Sequence, residues 1–301
     1  MTIASRLRLV TLLLFAAGAA SVLSQPWEPP AAAPVSYKYF QEPGGSLARM
    51  HYDLRYFKGE AAYDERQIIL RDLIRSYLQT MQAMGVETWL AHGTLLGWWW
   101  NAHIMPWDYD LDVQVSNATM AWLANGFNGT EHTVTFGKDA GSAIAGTTTG
   151  AANSPRTRTY LLDINPHYTN VDSRGGYNMI DGRWIDTDHG MFVDITVLRE
   201  RAPERRPGEW SCKNGHQYKA HDLWPLRVSE FEGVPARIPY NVEKILSDEY
   251  SQRSMTKETF QSHQWDHDLK QWVIEDPEQR GRAKDAGASQ KKQQLLHQGR
   301  F

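Results

Sequence analysis

Cysteine is nearly missing: Cys212 is the only one in 301 residues, so no disulfide can form within the chain and stability must come from a buried core. A positive excess is missing too. Lys and Arg number 32 against 35 Asp and Glu, a formal charge of -3, which lacks the basic footprint of a general nucleic-acid binder. P-loop, dinucleotide fingerprint and Gly-x-Ser-x-Gly elbow are also absent. Aromatic residues are abundant instead. With 12 Trp, 13 Tyr and 41% hydrophobic residues, the chain can fill a core in one large or two modest domains, and the aromatics suit either sugar-stacking surfaces or that core.

Three aspartates stand at alternate positions in Trp107-Asp108-Tyr109-Asp110-Leu111-Asp112, followed by Val113 and Val115. Side chains two apart on a strand share a face, so Asp110 and Asp112 point one way while Leu111 and Val113 turn into a core. An extended chain rises about 3.3 Å per residue. Asp110 and Asp112 can therefore converge on one hard cation, and Asp108 is assigned to their surroundings. A calcium loop starting at Asp108 would need glycine at its sixth position and glutamate at its twelfth. Val113 and Thr119 stand there.

Upstream, Ile69, Leu73, Tyr77, Met81 and Met84 recur every three to four residues, which predicts an amphipathic helix over Tyr63–Met84, stopped at Gly85. A short strand at Thr88–Ala91 leads into the turn His92-Gly93-Thr94, then a helix from about Leu95 to Asn101. Gly93 permits either close backbone approach to a ligand or simply a tight turn. Downstream, a helix is expected over Asn117–Phe127, capped by Ser116 or Asn117, and strands over Arg158–Ile164 and Met191–Leu198. Asp194 is embedded in the second strand. Buried and unpaired it would be costly, and a bound cation, an arginine partner or an exposed sheet face would each remove that cost. Trp98–Trp100 reads as a core anchor.

At the amino end, Arg6 and Arg8 precede an apolar stretch from Leu9 to Leu23, which reads as a signal peptide or short signal anchor over residues 1–24. Residues 25–62 are a Pro-, Ala- and Gly-rich stem and lead-in, and 63–276 the main domain. Residues 277–301 are a disordered polar tail. Asp139–Pro155 reads as a mobile loop. Cys212, His216 and His221 lack the second half of a standard zinc pattern.

The run Gly93-Thr94-Leu95-Leu96-Gly97, nine intervening residues, then Trp107 to Asp112 resembles the signature of the LicD/fukutin family of nucleotidyltransferase-fold phosphotransferases. Trp98–Trp100, Tyr160–Pro166 and Asn178–Asp186 resemble the fungal mannosylphosphate transfer proteins most. The resemblance extends from about Tyr63 to about Tyr250. It departs from bacterial members at Trp100, where they commonly carry arginine.

The resemblance implies an α/β (α+β) fold, a nucleotidyltransferase-like mixed sheet flanked by helices in a single main domain. It also implies transfer of mannose 1-phosphate from GDP-mannose to a hydroxyl of a mannose-rich glycan, with Mg²⁺ or Mn²⁺ held by Asp110, Asp112 and Asp194. Gly93 and Thr94 would then meet the nucleotide phosphates, with Arg156, Arg158 and Arg183 as the nearest further phosphate contacts. Asp163 and Asn165, grouped with Asp181, Asp186 and Asp188, would line the donor or acceptor side. Such proteins work in the secretory pathway, in the Golgi lumen, tied to a membrane only through an uncleaved leader and secreted if the leader is removed. Two other readings stay open: a non-catalytic luminal regulator or partner of a separate mannosylphosphate transferase, and a conventional metal-dependent glycosyltransferase.

Overall fold

Ile69, Leu73, Tyr77 and Met81 are fully buried on one face of helix α1, Tyr63–Ala83, as their spacing requires. Asp64 and Glu65 sit in its first turn, where the helix dipole favours negative charge. Gly85, at φ +71°, ends it. The chain continues through β1 (Trp89–Leu90), α2 (His92–Asn101), β2 (Leu111–Ser116) and α3 (Asn117–Gly126). Ser116 caps α3, its hydroxyl accepting from the Thr119 N–H at 3.1 Å. Strands β3 (Thr130–Phe136), β4 (Arg156–Ile164), β5 (Gly182–Asp186) and β6 (Phe192–Glu200) follow. The hairpin β7 (Glu209–Ser211) and β8 (Gln217–Lys219), α4 (Ala220–Leu223), and the hairpin β9 (Arg227–Phe231) and β10 (Val234–Ile238) come next. Last are α5 (Val242–Tyr250) and a small sheet of β11 (Thr259–Phe260), β12 (His263–Asp266) and β13 (Gln271–Ile274).

This computed structural model describes residues 38–137, 155–171 and 178–275. The expected leader, the segment up to residue 37, nearly all of the expected mobile loop and the polar tail lie outside the described residues. Among those described, the main sheet has eight strands in the order β1-β2-β6-β5-β4-β3, with β7 on β6 and β8 on β7. It is a mixed sheet flanked by helices. β2 and β6 run parallel while the other pairings are antiparallel. No described helix is long and apolar enough to cross a membrane.

Two boundaries differ from expectation. Residues 38–62 are packed onto the domain, not a stem: Phe40 and Tyr52 are buried, and Tyr52 forms a β-bridge to Met191. Proline and glycine nearby masked their apolar contribution. Helix α2 starts at His92 instead of Leu95, so the small-residue turn is its first turn.

Candidate functional site

Alternation along the strands and register between them produce two adjacent rows across the sheet. Leu111, Val193, Trp184 and Leu162 form one row, on β2, β6, β5 and β4, and all are buried in the core shared with α1, where Trp184 Nε1 donates to Ser76 Oγ. One residue along, Asp112, Asp194, Arg183 and Asp163 form the second. Since successive side chains point to opposite faces, burying the first row obliges the second onto the other face.

Within this charged row, Arg183 Nε donates to Asp194 Oδ1 at 2.8 Å. Its Nη2 donates to Glu42 Oε1 at 2.7 Å, and the guanidinium lies between the rings of Phe40 and Phe192. Of the three possibilities for Asp194, the arginine partner is realised. Burial still raises its carboxyl pKa, and Arg183 acts against that rise. Asp163 accepts from Tyr39 Oη at 2.8 Å and pairs with Arg55. Burial, then the Asp163 contact, push the Tyr39 phenol up to about 12. The amino-terminal segment thus supplies Tyr39, Phe40 and Glu42 to one end of the site.

Asp112 is fixed from below. Its backbone N–H donates to Thr94 Oγ1 at 2.8 Å, and its carbonyl accepts from Ala91 N–H at 3.1 Å. Thr94 is itself buried, so it positions Asp112. Burial, then Asp110, raise the Asp112 carboxyl well above its ordinary value. Asp108 is lifted to about 8 by the same two causes in the same order. Asp110 lies just before the ladder, 42% exposed, with His51 Nδ1 3.7 Å from its carboxylate.

The three aspartates line a cavity of about 630 Å³, together with Gly93. Trp100, Trp107, Phe260 and Trp272 wall it, with Trp107 4.9 Å from Trp272 and 5.0 Å from Phe260 between ring centroids. Exposed Arg253 and Lys257 stand on its edge. A second, smaller cavity of about 250 Å³ opens beyond Asp110, lined by Asp194, Arg183, Glu42 and His51. Asp110 borders both. Carboxylate oxygens suit a hard divalent cation, so Asp110 and Asp112 fit Mg²⁺ or Mn²⁺. Among the described residues, however, the donor atoms of Asp110, Asp112 and Asp194 do not all come within 4.8 Å of one another.

Several expected roles change. Arg158, on the α1 face of β4, donates to Asp72 at 3.1 Å and pairs with Asp186. Arg156 donates to Asp72 twice. Both lie on the α1 face of β4, opposite the charged row. Arg183 is committed to Asp194 and Glu42. Asn165 is buried, donating to the Ile180 carbonyl and accepting from the His167 N–H. It shapes a turn. Asp181 pairs with Lys213 in the core at 2.7 Å. The glycine that packing demands in this motif is Gly97, where a Cβ would fall 2.4 Å from the His103 carbonyl oxygen, whereas one on Gly93 would make ordinary contact with Asp108. Trp100 lines the cavity instead of anchoring the core. Sequence reasoning missed Arg253, Lys257, Phe260 and Trp272; only their cationic and aromatic character marked them.

Residues 85–174 match the family described as LicD/FKTN/FKRP, nucleotidyltransferase domain. Over this segment the chain is similar to the LicD family. The match spans Gly93, Thr94, the three aspartates and the wall residues Trp100 and Trp107, but ends before Arg183, Asp194, Phe260 and Trp272. Over 219 residues, 69% of the chain, it is 30% identical to "Mannosyltransferase regulator 4" of Saccharomyces cerevisiae. Over 154 residues, 49% of the chain, it is 32% identical to "Mannosyltransferase regulator 14" of the same yeast. These alignments cover 17% and 14% of the two relatives, so the chain spans less than a fifth of either.

Proposed function

We propose that the LicD-like domain transfers a phosphosugar, mannose 1-phosphate from GDP-mannose, to a hydroxyl of a mannose-rich glycan in the Golgi lumen. The observation that carries this reading is a single cavity lined by carboxylates, aromatic rings and two exposed cations. The family match and the relatives' names support the direction of the chemistry. Asp110 and Asp112 would hold Mg²⁺ or Mn²⁺, which supplies charge neutralisation to the diphosphate when bound.

The aromatic wall offers faces on which the nucleobase or sugar stacks, and Arg253 and Lys257 meet the diphosphate. The acceptor enters by the smaller cavity. Its hydroxyl oxygen attacks the phosphorus next to the sugar, the bond from that phosphorus to the GMP oxygen breaks, and GMP leaves. Asp194 takes the hydroxyl proton on the oxygen that Arg183 does not hold. Positioning and electrostatics dominate such transfers.

A second reading has its own observations. Both yeast relatives are named as regulators, and Arg183 occupies one oxygen of Asp194. On this reading the domain binds a nucleotide sugar and acts on a separate transferase. The full chain with Mn²⁺, a mannan oligosaccharide and a panel of nucleotide sugars separates the two. Release of GMP with a phosphohexose gain in product mass, lost in Asp110→Ala, is the expected result. Nucleotide binding without turnover by a folded protein would favour the regulator, and a hexose gain without phosphate would make it a glycosyltransferase.

A further inference from the structure

Behind the turn that starts α2 lies a cluster the proposed transfer does not use. His92 Nδ1 is 3.0 Å from Glu249 Oε2, and the rings of His92 and His216 stand 4.4 Å apart. Among the described residues, this is the one group whose donor atoms all lie within 4.8 Å of one another. The three come from separate elements: the start of α2, the turn between β7 and β8, and the end of α5. Tyr218 Oη donates to Glu249 Oε1 at 2.7 Å, and Cys212 Sγ lies 3.4 Å from His216 Nδ1, so two of the three side chains are oriented by a further neighbour, as ligands of bound metals generally are. A cleft of about 730 Å³, lined by His216, Tyr218 and Glu249 among others, gives an entry path.

We propose that His92, His216 and Glu249 bind a divalent transition-metal ion of the zinc class, at a site separate from Asp110 and Asp112. Two imidazoles and a carboxylate form a donor set suited to zinc, whereas the all-oxygen aspartates suit harder ions. The backbone also points this way. His92 has φ +49°, a left-handed conformation that costs a non-glycine residue energy and persists where surroundings hold it. An ion on its side chain would staple the turn that carries Gly93 and Thr94, and through Thr94 the Asp112 backbone.

The test is titration of the full, metal-stripped chain with Co²⁺, read by visible absorption, then displacement by Zn²⁺ with the histidine ¹⁵N resonances followed by NMR. Saturable binding of one ion, with His92 and His216 shifted and exposed His221 unmoved, is expected. His221→Ala should keep the site. His216→Ala, and Glu249→Gln, which can retain hydrogen bonds to His92 and Tyr218, should weaken binding at least about tenfold. No binding tighter than about 1 μM by the wild-type chain, or binding that leaves the His92 and His216 resonances unshifted, would overturn the proposal, as would undiminished binding in both variants. The wild-type titration decides even if a variant fails to fold, and none of these readouts depends on transferase activity.

Discussion

Replacing Arg183 by methionine tests whether this arginine holds the sheet's charged row together or contacts substrate phosphate. The side chain is 3% exposed, against 14% for Asp194 and 11% for Glu42. Methionine keeps much of the volume between Phe40 and Phe192 but leaves two carboxylates without their shared cation. Removing one partner of a buried ion pair costs about 3–5 kcal/mol, and the residual solvent at both acids places this case near about 3 kcal/mol. With a urea slope of about 3 kcal/mol/M, the unfolding midpoint falls by about 1 M. Asp194→Asn in the Arg183→Met background should recover part of the loss, with a coupling of about 1–3 kcal/mol in the double-mutant cycle. A loss under about 1 kcal/mol, accompanied by weakened nucleotide-sugar binding, would refute the structural assignment and restore Arg183 as a phosphate ligand.

Thr94→Val strands the buried Asp112 N–H and should cost about 1–3 kcal/mol in urea unfolding, whereas Thr94→Ser should stay near wild type; equal behaviour of the two variants would contradict the positioning role. Lys257→Ala and Arg253→Ala should each weaken GDP-mannose binding about tenfold by calorimetry with unchanged thermal stability, because both side chains are exposed; unaltered affinity in both would remove them from the donor site. Glu232, 3.3 Å from His103, holds that imidazole above its ordinary pKa despite the opposing effect of burial. Its folded value is therefore the higher one, so the stabilisation is fully present below the unfolded value of about 6.5 and fades as pH rises through the folded value. NMR titration should find the His103 midpoint raised in the native chain and lowered in Glu232→Gln, and identical midpoints would sink the assignment.

Helix α1 and the alternation of β2 were legible because each is a local pattern: Ile69 to Met81 repeats within one helix, and Leu111, Val113 and Val115 alternate within one strand. Asp194 was legible as a problem but not as a solution. Its partner Arg183 follows from the antiparallel register of β5 on β6, and β2 reaches β6 only through a parallel pairing across intervening chain. The same limit misdirected Arg158. It is five residues from Asp163 on β4, an odd offset that puts it on the α1 face with Asp72, and strand position alone does not say which face carries the site. His216 was noticed beside Cys212 and His221, its neighbours in sequence. In the fold His221 is exposed, and His216 turns to His92 and Glu249, residues that no spacing rule connects.

On the proposed transfer, the rows would make Asp110 the pivotal acid. Asp112 and Asp194 are fixed by ladder register, and Arg183 and Thr94 hold them from the side and from below. Asp110 precedes the ladder, is more exposed than Asp194, and borders both cavities. A donor in the aromatic-walled cavity and an acceptor in the smaller one would meet across it. On the proposed transfer its freedom would have a cost in pre-organisation and a use in catalysis: a carboxylate not locked by register could adjust when an ion and diphosphate arrive, while the fixed pair would keep the reacting geometry. On the regulatory reading the same asymmetry operates differently, because nucleotide binding would order Asp110 and the His51 segment beside it. The amino-terminal segment, which already supplies Tyr39, Phe40 and Glu42 to the row, would then carry the state of the donor cavity to the surface.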